Sequence, residues 1–136
     1  MYAYLSQTLL LTFMITLLTV PVNAQETQHP RTVQQAVITL AEELNEETRQ
    51  QYREMEEEAF VGYGISLSDL GSTIISRWEL GGHNTLSSFF NNQGLHTPTE
   101  MAEVILTSLH RYLNGRPMRL HAQIREMRAF WEGEEP

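Results

Sequence analysis

From residue 32 onward, apolar side chains recur at intervals of three and four and nowhere alternate one by one, so a helical period is the only regular one the chain offers. The first stripe is Val33, Ala36, Val37, Leu40, Ala41 and Leu44, behind a Thr32/Gln35 pair at capping-box spacing. Asn45 caps a second helix whose first turn carries Glu46 and Glu47 against the positive end of the dipole, with Tyr52, Met55 and Ala59 turned inward. Gly62 and Gly64 interrupt that pattern. Ser66 and Asp69 then give another capping-box spacing ahead of Leu67, Leu70, Ile74 and Trp78, with Gly71 on the same face to admit a close neighbour. After a Gly81-Gly82 loop, Asn84 caps a short helix carrying Leu86, Phe89 and Phe90, which ends before Gly94.

The sharpest local signal is Thr97-Pro98-Thr99-Glu100: a capping Thr, Pro at the first helical position, and Glu placed to reach back to the cap. The helix it opens carries Met101, Val104, Ile105, Ser108, Leu109 and Tyr112, has His110 and Arg111 near its negative end, and stops at Asn114-Gly115. Beyond Pro117 a last helix starts near Leu120 and carries Leu120, Ile124, Met127 and Trp131; residues 133–136 form a polar tail. The prediction is therefore an all-α fold, a compact orthogonal bundle of about six short helices across residues 32–132. Trp78, Phe89, Phe90, Phe130 and Trp131 are expected to supply most of the bulk of its core.

The first 24 residues are of another kind. No charged side chain precedes Glu26, residues 9–20 form an apolar run, Pro21 breaks it, and Val22 and Ala24 set small residues at −3 and −1 of a cleavage site before Gln25. This is the pattern of a signal peptide cleaved after Ala24, followed by a flexible lead-in over residues 25–31. It implies export to the periplasm or the extracellular space, with no stable membrane insertion after cleavage. The alternative is an uncleaved N-terminal membrane anchor, a reading weakened by Thr8, Thr12, Thr16 and Thr19 within the segment.

Composition removes several chemistries. The chain has no cysteine, which excludes disulfides, thiolate nucleophiles and Cys-ligated metals, and its nine basic residues are all Arg, which excludes Schiff-base and P-loop lysine chemistry. The net charge of −8 argues against nucleic acid as a partner. That charge is lopsided: residues 42–58 hold eight Glu and two Arg (−8 + 2 = −6), and residues 111–131 hold five Arg and one Glu (+5 − 1 = +4). Two opposed patches could steer partners or self-association, although such runs more often face water or meet each other within the fold.

No catalytic pattern stands out. Glu54, Glu56, Glu57 and Glu58 are consecutive enough to point around a helix instead of across a cleft, which reads as exposed helix surface. His29, His83, His96, His110 and His121 include no HExxH and no i, i+4 pair, so neither a metal nor another cofactor is expected. Gly62-Tyr63-Gly64 lacks the strand and third Gly of a nucleotide loop and reads as a hinge. Polar, aromatic and turn residues crowd together only at His110-Arg111-Tyr112-Leu113-Asn114-Gly115. Arg and Tyr are common interface anchors, and each residue there also has a local job in ending a helix. The candidate binding residues are Trp78, His83, His110, Arg111, Tyr112, Asn114 and Arg116.

That segment, with Leu67-Ser68-Asp69-Leu70-Gly71, Trp78-Glu79-Leu80 and Thr97-Pro98-Thr99-Glu100-Met101, resembles an uncharacterised bacterial family of the domain-of-unknown-function kind, over roughly residues 32–131. The sequence departs from that family at Ile75-Ser76, where Arg-Asn is common, and at Thr97 and Thr99, where His and Asp are common. The resemblance implies one helical domain and brings no activity with it. The resulting expectation is an exported module that binds a protein partner in the bacterial cell envelope. An envelope hydrolase using His83 or His110 with a Glu is the alternative, and a structural protein without a specific ligand is a third reading.

Overall fold

The computed structural model describes residues 29–133 and is all-helical there. The expected leader with its expected cleavage site, most of the expected lead-in and the last three residues lie outside the described residues. Seven α-helices follow in order: α1 (Val33–Glu43), α2 (Glu46–Glu54), α3 (Glu57–Gly62), α4 (Leu70–Arg77), α5 (Thr85–Asn92), α6 (Pro98–Leu113) and α7 (Leu120–Glu132). A single π-turn, Tyr63–Leu67, continues from the end of α3.

Local signals formed as their chemistry dictates. Thr32, Asn45 and Asn84 each accept a hydrogen bond from the backbone N–H three residues on, at 3.1, 2.8 and 2.9 Å. At α6 both halves of the capping box are made: Glu100 N donates to Thr97 Oγ1 at 3.2 Å, and Thr97 N donates to Glu100 Oε2 at 3.0 Å. Pro30, ahead of the first cap, is buried, and Arg31 N donates to Gln35 Oε1 at 2.8 Å.

α6 is the axis of the fold. Half of its sixteen residues are buried, including Ala102, Leu106 and His110 off the anticipated stripe, because α1, α2, α3, α4 and α7 all pack against it. A helix contacted from several sides needs an apolar belt wider than one face. Val33, Val37, Phe60, Ile74, Trp78, Leu86, Phe90, Leu95 and Ile124 complete the core around it. The one buried polar pair between α6 and α7 is satisfied: Gln123 Nε2 donates to Ser108 Oγ at 3.0 Å and to Met118 O at 2.7 Å.

Four expectations need correction. The second helix breaks at Met55 and Glu56, both extended (ψ 145 and 147), so it becomes α2 and α3; Ala59 faces solvent and Phe60 takes the buried position. The Ser66/Asp69 capping box does not form, because Ser66 lies inside the π-turn and Asp69 caps α4 without a side-chain hydrogen bond. Leu67, at the end of that turn, is 78% exposed. Finally, Phe130 and Trp131 are 75% and 65% exposed instead of core, and Tyr112 is 44% exposed, because among the described residues nothing covers the last turn of α7 or that side of α6.

Candidate functional site

The break between α2 and α3 builds the densest polar arrangement in the molecule. Extended backbone at Met55 takes its carbonyl out of the helical ladder, and His110, 3% exposed in the core side of α6, meets that oxygen through Nε2 at 2.7 Å. A carbonyl only accepts, so Nε2 carries the proton in this arrangement. Its other nitrogen, Nδ1, lies 3.1 Å from Arg116 Nη2, which only donates, and therefore accepts. Both polar ends of the buried ring are satisfied, and Phe60 packs on it with ring centroids 5.4 Å apart.

Glu57, first residue of α3, sits beside this ring. Its carboxylate accepts from Arg111 Nε at 3.0 Å and Nη2 at 2.8 Å, and from Arg116 Nη2 at 3.1 Å, while His110 Nδ1 stands 4.0 Å away. The two-pronged hydrogen bond from Arg111 holds the Glu57 carboxyl below its ordinary range; partial burial opposes this, and the charges of Arg111 and Arg116 reinforce it. Arg111 also donates from Nη1 to Met118 O at 2.8 Å, so one guanidinium ties α3, α6 and the turn into α7 together. Asn114 Nδ2 donates to His110 O at 2.9 Å, and Arg53 Nε to Leu113 O at 3.0 Å, which satisfies carbonyls at the end of α6.

Two open depressions flank the Arg116–Glu57 contact. The larger, about 610 Å³, is lined by Glu56, Glu57, Glu58, Arg111, Arg116, Pro117 and Arg119. The smaller, about 350 Å³, has Arg53, Glu54, Met55 and Asn114 on its far side. Both are wide-mouthed and of mixed charge.

Of the residues singled out from sequence, His110, Arg111, Asn114 and Arg116 are brought together. Trp78 is 2% exposed at the end of α4 and presents no surface to a partner. His83 is exposed in the turn before α5, and no hydrogen bond joins it to this cluster among the described residues. Tyr112 points to a different depression, lined with Ala41, Glu42, Arg49, Arg53 and Leu113. Arg111 is largely covered by its contacts with Glu57 and Met118, and Tyr112 and Arg116 line different depressions. Sequence reasoning missed Glu57, which sits among glutamates that are otherwise exposed; its only local distinction is its place three residues before Phe60.

Chemically the cluster is a brace. Both nitrogens of His110 are engaged, so neither is placed to take a proton from a substrate, and Glu57 is held ionised by two guanidiniums. Among the described residues no group of three or more His, Asp or Glu could hold a metal ion, and no helix is long and apolar enough to cross a membrane.

A helical body braced in this way, without a matched catalytic constellation, places the chain among small all-α domains. Residues 29–113 match the family described as a domain of unknown function, DUF6794, and the chain belongs to that family. The matched span contains Glu57, His110 and Arg111 and ends before Arg116 and α7. No curated protein and no solved structure matches the chain.

Proposed function

We propose that the protein is an exported binding module that engages a protein partner in the bacterial cell envelope, with the uncovered end of α7 as its apolar anchor. The observation that carries this reading is the Phe130–Trp131 pair, 75% and 65% exposed with ring centroids 5.3 Å apart and planes at 80°. Stacked edge to face, the two rings form a preassembled apolar knob, and aromatic side chains of this kind dominate the energetics of protein interfaces. A protein surface with an apolar socket is the matching partner. Tyr112, Asn114 and Arg116 remain accessible beyond the other end of α7 and offer further polar contacts. Export rests on the apolar leader and the small residues before Gln25.

Photo-crosslinking in the producing cell tests both parts. With a photoreactive side chain at position 131, a discrete crosslinked product should form in the envelope fraction, and the same group at exposed Ser88 on α5 should not give it. Identical patterns from the two positions, or retention of the protein in the cytoplasm with its leader intact, would overturn the reading.

A further inference from the structure

The cations of the acidic stretch are spent inside the fold. Arg49 donates to Ala41 O at 2.6 and 3.0 Å, and Arg53 to Leu113 O at 3.0 Å, with Glu46 as their shared anionic contact. Glu54, Glu56 and Glu58 are left exposed with no cationic partner among the described residues. On the basic side, Arg119 and Arg125 are likewise exposed and without an anionic partner among the described residues. Glu56, Glu58 and Arg119 meet along a seam, the Glu57–Arg111–Arg116 cluster, where the depression of about 610 Å³ is walled by Glu56 and Glu58 on one side and Pro117 and Arg119 on the other.

We propose that this seam is a self-association surface, on which a second copy of the chain docks about a two-fold axis. An axis through the boundary between these adjoining charges of opposite sign places each copy's Arg119 over the other's Glu56 and Glu58, so one surface complements itself. The net charge of −8 does not oppose this at physiological salt, because screening over about 8 Å leaves the facing charges in control and mutes the distant ones. The hollow walled by both signs gives the side chains of a partner copy room to enter. Arg116 borders both surfaces, but the Phe130–Trp131 knob stands at the C-terminal end of α7 and Arg119 just before its N-terminal end, so the dimer and the crosslink at position 131 are read separately.

Sedimentation equilibrium of the mature protein, from low to high micromolar concentration, tests this. A dimer is expected that tightens as salt is lowered from about 0.5 M to about 0.1 M. Reversing the basic side (Arg119→Glu) or the acidic side (Glu56→Arg with Glu58→Arg) should weaken it about tenfold or more, and mixing the two variants should restore a dimer of one chain of each. Circular dichroism checks that each variant is folded. A wild type that stays monomeric throughout, or a dimer indifferent to salt and to both reversals, overturns the proposal. Failure of the mixed variants to pair while both remain folded overturns the two-fold arrangement.

Discussion

Glu57 holds Arg111 through both carboxylate oxygens, Oε1 to Nη2 at 2.8 Å and Oε2 to Nε at 3.0 Å, across 54 residues of chain. The pair fastens the short helix α3 to the end of the central helix, and Arg116 adds a third contact from the following turn. Replacing Glu57 with Ala leaves two guanidiniums without their shared anion and should lower stability by about 1–3 kcal/mol, read from the urea midpoint. A double-mutant cycle with Arg111→Ala should show coupling of about 1 kcal/mol or more. Simple additivity would mean that the pair contributes nothing.

The same pair sets an acid limit. The Glu57 carboxyl is held low chiefly by its hydrogen bond to Arg111, and that of Glu43 chiefly by its hydrogen bond to Arg77. A carboxyl with a lower pKa folded than unfolded stabilises the fold above its unfolded value, near 4.5 here, and that contribution fades as pH falls through the lower folded value. The stability gap between wild type and Glu57→Gln should therefore be full at pH 7 and shrink below about pH 4.5. A gap unchanged down to pH 3 would show that the ionised form is not what the site stabilises.

Glu103 behaves in the opposite sense. Half-buried on α6, its carboxyl is pushed up by burial first and by neighbouring Glu100 second. A raised carboxyl favours folding at low pH and loses that advantage as pH rises through its folded value. Glu103→Gln should accordingly raise stability at pH 7, read from the urea midpoint, by no more than about 1 kcal/mol given the remaining solvent screening, and the gain should vanish in acid.

Two glycines should respond with opposite signs. Gly62 is helical (φ −59), and a methyl group there meets nothing within 4 Å, so Gly62→Ala should stabilise by about 0.5–1 kcal/mol. At Gly71 the added carbon would stand 2.9 Å from Gly64 O and 3.3 Å from Ile65 Cα, both backbone atoms, so Gly71→Ala should cost about 1–3 kcal/mol. Thermal melts of the two variants decide the matter, and equal shifts would contradict the close approach of α4 to the π-turn.

The two tryptophans give a direct reading of the core boundary. Trp78→Ala should cost about 3–5 kcal/mol, and Trp131→Ala less than about 0.5 kcal/mol. A polar quencher should reduce the fluorescence of Trp131 and spare that of Trp78, which is 2% exposed.

These contrasts follow what was legible in the sequence. The caps at Thr32, Asn45, Asn84 and Thr97 were readable because their signals span four residues and each is answered within the same turn. The break at Met55 was not, for no Gly or Pro marks it; its partners, His110 and Arg111, lie more than fifty residues away. For the same reason Glu57 looked like its exposed neighbours. The four-three-four spacing ending at Trp131 matches that of a buried stripe, and only the extent of the body beneath α7 shows that the last member overhangs it. In segment 110–115, His110 and Arg111 brace the fold, whereas Tyr112 and Asn114 face outward.

The π-turn at Tyr63–Leu67 gives the chain one surplus residue between two buried anchors, Phe60 and Ile74. The wider winding takes up that residue within the turn itself, and extended Ser68 (φ −134, ψ 171) then separates the turn from α4. A spare peptide unit is thus absorbed locally, leaving the helix that carries Glu57 in phase with its contacts on α6.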